Sequence, residues 1–274
     1  MPWDRELTIA LKVAEEAAER LRQEYQAFTA IPDAPADIST PVDRRAQELI
    51  LDRLHHHFPH DALCAEEKIS GFETVAQRGP RTWVVDPIDG TRGFARKNGQ
   101  FSVMIGLLAE GMPVVGVVAE PAQNRITFAR QGGGCWTYVG DATAVRCQVS
   151  RRPFSECILV QSWAKPGQVS RAAALLTPKH IQETYSGGVK LARVARGEAD
   201  VYANTYETFH DWDICAGHLL VTEAGGTVTD LFGQPIAYQA DDFAQRRGLL
   251  ATNGLCHAEA LQRLQPLTAR FRSA

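Results

Sequence analysis

The first sixty residues place apolar side chains at the spacing of α-helices. From Leu7 to Leu21 these side chains recur at steps of three and four residues, which predicts an amphipathic helix from residue 4 to about residue 28. The segment 31–36 contains two prolines and interrupts this pattern as a loop. A second helix is predicted from about Pro41 to Phe58, because Thr40 is a typical N-cap and proline is favoured at the first helical position.

From about residue 82 the pattern changes to the short apolar runs of β-strands. Strands are predicted at residues 82–86, 101–108, 114–119 and 126–129, with a hairpin turn at 110–113 and a flexible turn at 132–134. The second half alternates between a strand near 158–161, helices near 169–176, 188–196 and 214–224, a strand at 227–230 and a last helix from about 258. This mixture predicts a layered α/β fold with two lobes that meet near residue 150.

Composition and charge narrow the class of protein. A chain of 274 residues with 45% hydrophobic residues is expected to form a sizeable core. The net charge of −3 gives no reason to expect polymeric nucleic acid or membranes as partners. The most apolar stretch, 101–119, is too interrupted to span a bilayer, and the N-terminus lacks the apolar core of a signal peptide. Six scattered cysteines indicate buried thiols in a reducing compartment, which predicts a cytoplasmic protein.

The segment Asp86-Pro87-Ile88-Asp89-Gly90-Thr91 carries the most chemical information. It follows an apolar run, so Asp86 is expected at the carboxyl end of a strand, where α/β folds bind ligands. Asp86 and Asp89 can converge across a tight turn, and the N–H groups of Gly90 and Thr91 can bind a phosphate. Because carboxylates repel a phosphate unless cations lie between them, the pattern favours Mg²⁺. Taken alone, the segment is better explained as an Asx-turn with a capping aspartate.

Three further acidic segments have a plain explanation when each is considered by itself. Glu66-Glu67 is typical of a solvated surface, and the aspartates of Asp211-Trp212-Asp213 can cap the helix that follows. Asp43, three residues after Thr40, is typical of the first turn of a helix. In combination, these segments favour a shared cluster of carboxylates.

The set of motifs resembles the inositol monophosphatase superfamily of Li⁺-sensitive, Mg²⁺-dependent phosphatases. The shared segments, in the same order over residues 37 to about 235, are Thr40-x-x-Asp43, Glu66-Glu67, Asp86 to Thr91, Trp212-Asp213 and Gly225-Gly226. The resemblance implies an αβαβα sandwich of the inositol monophosphatase and fructose-1,6-bisphosphatase type, usually as a homodimer. Residues 1–274 would form a single catalytic domain. A lobe of about 1–150 would bind metal and phosphate, and a lobe of about 151–274 would bind substrate and complete the metal site.

The resemblance also implies roles for individual residues. The implied ligands of two or three Mg²⁺ ions are Glu67, Asp86, the carbonyl of Ile88, Asp89 and Asp213. Glu67 is preferred to Glu66 because it aligns with the second acid of the family pair. Thr91 with Asp43 resembles the pair that orients and helps to deprotonate the attacking water, so direct attack without a phosphoenzyme is expected. The implied substrate-binding residues are Gly90, Thr91, Ser186, Gly187, Lys190 and Asp213.

The substrate is less well specified than the chemistry. The residues that follow Thr91 and those around Lys190 resemble the branch of the family that hydrolyses 3′(2′),5′-bisphosphate nucleotides. Arg92 and Lys190 could bind the second phosphate of such a nucleotide. Glu207 and His210 resemble the inositol branch equally well. The sequence therefore favours a bisphosphate nucleotidase, and inositol 1-phosphate, histidinol phosphate and other sugar phosphates stay open as substrates.

Two other interpretations fit single features of the sequence. A non-catalytic metal- or phosphate-binding regulator on the same fold would be favoured by a missing ligand carboxylate, and none is missing. The run His55-His56-His57 could suggest a transition-metal site, but consecutive residues of a helix face different ways. Tryptophans such as Trp83 and Trp163 are expected in the core or an interface rather than as stacking surfaces.

Overall fold

The first half of the chain builds one mixed, mostly antiparallel sheet. The structure, a computed structural model, describes residues 2–68, 71–72, 74–165, 167–206 and 209–273. In their order along the sheet, the strands are β1 (Ala62–Ala65), β2 (Arg81–Asp89), β3 (Ser102–Ala109), β4 (Met112–Glu120), β5 (Arg125–Arg130), β6 (Gly134–Val139) and β7 (Val145–Arg146). β1 pairs with β2 in parallel, and each later pair is antiparallel. The carboxyl ends of β1 and β2 therefore lie at the same edge.

The second half builds a smaller sheet in which strand order differs from chain order. Its strands are β8 (Ile158–Gln161), β9 (His180–Glu183), β10 (Val201–Asn204), β11 (Thr227–Thr229) and β12 (Leu249–Thr252), arranged as β11-β12-β10-β8-β9. β8 is parallel to both β9 and β10, whereas β12 is antiparallel to β10 and β11. The two sheets thus divide the chain between β7 and β8.

Helices cover and separate the two sheets. The described residues form α1 (Asp4–Ala27), α2 (Pro41–His57), α3 (Thr91–Ala95), α4 (Arg171–Leu176), α5 (Gly187–Ala195), α6 (Cys215–Glu223) and α7 (His257–Leu264), with 3-10 helices at Pro121–Gln123, Phe154–Glu156, Asp211–Asp213 and Gln265–Ser273. α1 and α2 cover the first sheet, α5 and α6 lie between the sheets, and α4 and α7 cover the second. This order confirms the predicted αβαβα sandwich.

The two N-terminal helices form for the reasons that the sequence indicates. α1 buries one stripe of small and aliphatic side chains against the first sheet, and its polar face stays exposed. At the start of α2, Thr40 Oγ1 accepts from the N–H of Val42 at 3.1 Å, and Asp43 Oδ2 accepts from the N–H of Thr40 at 2.9 Å. The predicted N-cap is therefore confirmed, and it holds Asp43 in a buried position.

The second half departs from the sequence-based assignment at its short strands. The sequences of β9, β10 and β12 show no clear alternation of apolar and polar positions, and the pattern did not predict these strands. The helix predicted from about residue 169 begins instead at Arg171, because the Ser170 hydroxyl accepts from the N–H of Ala173 and caps it. The helix predicted at 188–196 is confirmed within a residue at each end.

A pair of glycines sets how closely α6 approaches the first sheet. Gly106 and Gly116 are opposite each other in β3 and β4. A Cβ at Gly106 would lie 2.6 Å from the Cys215 sulfur, and a Cβ at Gly116 would lie 2.5 Å from the Ala216 carbonyl oxygen. The first turn of α6 therefore packs directly on the sheet backbone. This contact fixes the chain immediately after Asp213, which the sequence associates with the metal site.

Gly116→Ala is expected to destabilise the protein by about 1–3 kcal/mol, because its methyl group must push α6 away from the sheet. Thermal unfolding in the presence of a chelator measures this effect on the metal-free protein. The matched control is Gly79→Ala, whose methyl group would make only ordinary contacts of 3.5 Å or more. An unchanged melting temperature in Gly116→Ala would show that α6 can move away from the sheet without loss of stability.

Candidate active site

A cavity of about 570 Å³ opens where β2, α3, α5 and the Asp211–Asp213 3-10 helix meet. Its wall combines acidic, cationic and aromatic side chains. The acids are Asp37, Glu66, Asp86, Asp89 and Asp213, the cations are Arg92 and Lys190, and the aromatic residues are Trp163, Tyr185, Tyr202, Tyr206 and Phe209. Both halves of the chain contribute to this wall, so the cavity exists only when the two sheets are packed together.

An irregularity at the end of β2 brings two aspartates to the same side of the sheet. Residues three apart in a regular strand face opposite sides. The pairing with β3, however, passes from Asp86 opposite Met104 to Asp89 opposite Ser102, so β2 contains one extra residue. Because the extra residue shifts the alternation by one step, Asp86 and Asp89 both face the cavity. Asp86 Oδ1 also accepts from the N–H of Ile88 at 3.0 Å, which closes the turn.

Three carboxylates converge in this cavity at a spacing that suits a metal ion. Asp86, Asp89 and Asp213 each offer an oxygen, and these oxygens all lie within 4.8 Å of one another. Asp213 reaches the cluster from the second half of the chain, where its Oδ2 accepts from the N–H of His210 at 2.5 Å. Hard oxygen donors of this kind suit Mg²⁺, Mn²⁺ or Ca²⁺. Among the described residues, no other group of three acids, histidines or cysteines has a comparable arrangement.

Burial and mutual repulsion make the charged form of the cluster unfavourable. Desolvation of its carboxyl group in the cavity raises the pKa of Glu66 to about 8, with further contributions from the neighbouring acids, although the residue as a whole stays exposed to solvent. Burial likewise raises the pKa of Asp213 to about 7, and that of Asp86 well above its ordinary value. Without cations, part of the cluster therefore holds protons at neutral pH. A divalent ion would remove this penalty, so the donor set fits the metal that the sequence motifs predict.

Asp89 is held more firmly than any other member of the cluster. Its carboxylate accepts from the hydroxyl of Ser102 at 3.1 Å and from the N–H groups of Gly187 and Gly188 at 3.0 and 2.7 Å. The Ser186 hydroxyl also donates to it. Because Gly187 and Gly188 begin α5, a carboxylate of the first sheet is bound at the first turn of a helix from the second half. Asp89 thus fixes the two halves of the site relative to each other.

Thr91 and Asp43 form a second polar arrangement beside the cluster. Thr91 Oγ1 lies 2.9 Å from Asp43 Oδ1 and 2.9 Å from the carbonyl oxygen of Ile88, so its proton is donated to one of them. The other carboxylate oxygen of Asp43 is fixed by Thr40, whose hydroxyl donates at 2.7 Å. Burial raises the pKa of Asp43. The structure thus places Thr91 in the cavity wall, with Asp43 directly behind it.

The two adjacent glutamates lie in different environments. Glu66 lines the cavity, and its carboxyl group interacts with Asp86. Glu67 instead accepts a hydrogen bond from the Ser39 hydroxyl at the rim, and an Arg44 nitrogen lies 3.8 Å from it. The described cavity therefore contains Glu66 in the place where the family resemblance implies Glu67. The choice of Glu67 as a metal ligand stays a prediction.

The remaining candidates for substrate binding occupy distinct positions. Gly90, with a φ of +83°, caps α3 and lines the cavity together with Gly187. Ser186 is fully buried behind Asp89, so its hydroxyl supports the carboxylate instead of facing the cavity. Lys190 is almost fully buried, and its ammonium donates to the Ser162 hydroxyl at 2.9 Å and to the Tyr185 carbonyl at 3.1 Å.

The two cations of the cavity, Lys190 and Arg92, differ in the hydrogen-bond acceptors around them. Burial lowers the pKa of Lys190 to about 8, although the charges of Asp89 and Asp213 oppose this effect. The Arg92 guanidinium lies 5.5 Å from the Tyr185 ring centroid, and no described residue accepts from its buried Nε. Both cations therefore remain able to bind an anion inside the cavity.

The aromatic part of the wall was not predicted from the sequence. Trp163 is 50% exposed and Tyr206 is 59% exposed, both at the cavity, so Trp163 does not lie in the core. The alternative expectation for Trp163, an interface position, stays a prediction. Trp83, by contrast, is fully buried as expected. The signal that could have identified Trp163 is its position two residues after an apolar strand, in a polar segment of the sequence.

Two residues that favoured the inositol branch do not help to choose a substrate. Glu207 lies outside the described residues. His210 stacks on Trp212, with the ring centroids 4.4 Å apart, and is not part of the cavity wall. All six cysteines are buried and free, as expected. Within the described part of the chain, no helix has the length and apolar character required to cross a membrane.

Comparisons with known proteins agree with this geometry. A model of the inositol monophosphatase family matches residues 3–270. The chain is 32% identical to a histidinol-phosphatase of Mycobacterium tuberculosis over 94% of this chain and 97% of that protein. It is also 32% identical to the 3′(2′),5′-bisphosphate nucleotidase CysQ of Escherichia coli K12, over 73% of this chain and 78% of that protein.

A solved structure extends the agreement to the fold. The chain superposes on an IMPase from Thermotoga maritima with a TM-score of 0.80 and 26% identity, covering 97% of this chain and 99% of that one. The family and the class of enzyme predicted from the sequence, a phosphatase, are both confirmed. The chain therefore belongs to the inositol monophosphatase family.

Proposed function

We propose that this phosphatase hydrolyses the 3′(2′)-phosphate of 3′(2′),5′-bisphosphate nucleotides such as adenosine 3′,5′-bisphosphate. The observation that carries the proposal is the presence of two cations, Lys190 and Arg92, in the same cavity as the carboxylate cluster. One phosphate of such a nucleotide needs to lie at the cluster, where it reacts. The second phosphate needs a cation that the cluster does not supply, and an alcohol without a second phosphate would leave that cation unused.

The metal is proposed to be Mg²⁺, two or three ions per site. The ligands would be Asp86, Asp89, Asp213, the carbonyl of Ile88 and one acid of the Glu66-Glu67 pair. When bound, the ions supply charge neutralisation for the phosphate and activation of a water molecule. The residues of the chain hold this constellation in place, chiefly through the four donors on Asp89.

The proposed reaction is direct attack of water on phosphorus. Thr91 Oγ1 is proposed to orient the water, and Asp43 Oδ1 to receive its proton through the Thr91 hydroxyl. The raised pKa of Asp43 suits this role, since a carboxylate of ordinary pKa is a weaker base. The N–H groups of Gly90 and Thr91 would bind equatorial phosphate oxygens. No side chain needs to carry a phosphoryl group.

A second candidate substrate is histidinol phosphate. The similarity to the histidinol-phosphatase spans nearly the whole of both chains, whereas that to the nucleotidase spans about three quarters. The aromatic wall would also accept an imidazole ring. The two cations of the cavity favour the nucleotide, because histidinol phosphate carries one phosphate and a positively charged amine, which Lys190 and Arg92 would repel.

The assembly and location of the protein belong to the same proposal. We propose one catalytic domain over 1–274 with a metal-binding lobe to about residue 150 and a substrate lobe after it. The division between β7 and β8 supports this proposal. A homodimer follows from the family resemblance, as does sensitivity to Li⁺. A cytoplasmic location is supported by six free cysteines.

Wild-type protein with Mg²⁺ is expected to release phosphate from adenosine 3′,5′-bisphosphate with a higher kcat/KM than from histidinol phosphate or inositol 1-phosphate. Lys190→Met, which keeps the length of the side chain without its charge, is expected to raise KM for the bisphosphate at least about tenfold. A preference for either monophosphate, unaffected by Lys190→Met, would contradict the nucleotide assignment and leave the phosphatase assignment in place.

Asp89→Asn is expected to lower kcat/KM for every substrate by at least about 100-fold, because an amide is a weaker metal ligand than a carboxylate. Its N–H₂ group would also face hydrogen-bond donors and could not accept from them. Phosphate release at saturating Mg²⁺ measures the effect. Asp52→Asn on the exposed surface of α2 is the matched control and should retain full activity. The same assay on Glu66→Gln and Glu67→Gln identifies which glutamate supports Mg²⁺ activation. Near-normal activity of Asp89→Asn would exclude the proposed ligand set.

Mg²⁺ is expected to stabilise the protein more at about pH 8 than at about pH 5.5. Glu66 and Asp213 have pKa values of about 8 and 7 in the folded protein, against ordinary values of 4.5 and 3.8. Between about pH 4 and pH 8 the folded metal-free protein thus holds protons that the unfolded chain has released. Its stability falls as pH rises through this window, while Mg²⁺ binds the deprotonated form more tightly.

Melting temperatures with chelator and with excess Mg²⁺ at both pH values test this expectation. Asp213→Asn should reduce the difference between the two pH values, because it removes one of the titrating groups. A larger Mg²⁺ shift at the lower pH would mean that the cluster does not bind the ion through these carboxylates.

A further inference from the structure

Trp163 is a large apolar side chain that stands half exposed at the active-site cavity. It follows β8 after one intervening residue, Ser162. Its indole Nε1 donates to Oε1 of Gln100 at 2.7 Å, which restrains the orientation of the ring. Exposure of half of an indole to water is unfavourable, and the hydrogen bond alone does not compensate for it. Tyr206, which is 59% exposed, lines the same cavity, so the cavity presents more than one exposed aromatic side chain. Exposed apolar patches of this kind mark ligand-binding surfaces.

Neighbouring side chains hold this ring in place from behind. The Tyr185 ring lies 6.4 Å from that of Trp163, at an interplanar angle of 35°. Tyr185 is itself fixed, because Arg96 donates to its hydroxyl at 2.7 Å and the Arg92 guanidinium lies 5.5 Å from its ring centroid. The aromatic pair therefore forms a preorganised wall instead of two mobile side chains, and ordering it on binding costs little entropy.

The position of Trp163 also relates it to the cation that would bind the second phosphate. The ammonium of Lys190 donates to the hydroxyl of Ser162, the residue next to Trp163 in the chain. Lys190 and Trp163 also line the same cavity, so a ligand with an anionic group at Lys190 occupies the space that the indole borders. Trp163 and the carboxylate cluster line the same cavity, whose volume of about 570 Å³ lies in the range of small-molecule sites.

We infer that Trp163 forms a stacking subsite for a planar heteroaromatic ring in the alcohol portion of the substrate. This inference rests on the proposed function, which supplies such a ring as the nucleobase. A flat face against a flat face buries both surfaces, and stacking of a base on an aromatic side chain changes affinity by about 5- to 150-fold. A saturated polyol such as inositol presents hydroxyl groups around its ring and gains far less from this wall. Trp163 is therefore a specificity-determining residue.

The test compares Trp163→Leu and Trp163→Phe with a tryptophan outside the cavity. Trp136→Leu is the matched control, because its indole is also partly exposed and also donates one hydrogen bond, to the Gly133 carbonyl at 3.0 Å. KM and kcat are measured with Mg²⁺ for adenosine 3′,5′-bisphosphate, histidinol phosphate and the ring-free ester glycerol 2-phosphate. Unchanged kinetics with glycerol 2-phosphate show that each variant is folded and retains its catalytic centre.

Trp163→Leu is expected to raise KM for the bisphosphate by about tenfold or more and to leave that for glycerol 2-phosphate unchanged. Trp163→Phe, which keeps an aromatic face, should stay within about threefold of wild type. The inference is overturned if Trp163→Leu changes KM for neither ester, or for both alike, or if the wild type hydrolyses only ring-free esters.

The outcomes also separate this inference from the proposed function. If the protein hydrolyses the bisphosphate and Trp163→Leu has the same KM as wild type, the nucleotidase assignment stands and the stacking subsite is excluded. Hydrolysis of histidinol phosphate in preference to the bisphosphate, with a KM that depends on Trp163, would remove the nucleotide assignment and support the stacking subsite.

Discussion

Mutual repulsion among closely spaced carboxylates is the constraint on which the active site of this protein depends. Asp86, Asp89 and Asp213 bring their oxygens within 4.8 Å, and Glu66 adds a fourth acid to the same cavity. Such a cluster is unfavourable in a folded protein unless protons, donors or cations compensate for it. The raised pKa values of Glu66 and Asp213 indicate that bound protons would reduce this repulsion when no metal is present. The cluster is therefore kept at the expense of stability, and cation binding is its simplest physical explanation.

The fold compensates for this repulsion where it can without cations. Asp89 is the clearest case, since two backbone N–H groups of α5 and two serine hydroxyls all donate to its carboxylate. Those donors come largely from the second half of the chain, so the interaction that stabilises Asp89 also joins the two sheets. The glycine pair Gly106 and Gly116 also joins the two halves of the chain, because it lets α6 pack directly on the first sheet. This packing fixes the chain next to Asp213.

The sequence predicts the elements whose local signals are strong and fails where an element depends on its partners. The N-cap at Thr40 could be recognised because its hydrogen bonds lie within four residues. The four-residue strands β9, β10 and β12 could not, because their pairing partners are distant in the chain. The active site shows the same difference between features with a local sequence signal and features that depend on distant parts of the chain. Asp86 and Asp89 could be placed together from one motif, whereas the bulge that turns both to the cavity appears only in the pairing of β2 with β3.

Side-chain exposure was the hardest property to predict, and it bears most directly on the substrate. A tryptophan in or beside an apolar strand is expected in the core, and Trp83 in β2 is fully buried as expected. Trp163 is not, because the loop after β8 carries it to the cavity, where Gln100 fixes its indole. The clustered carboxylates come mostly from the first half of the chain, whereas Lys190 and Trp163 come from the second. Under the proposed function, the residues that hold the reacting phosphate and those that contact the rest of the substrate come largely from separate segments, so substrate preference can change while the carboxylate cluster stays the same.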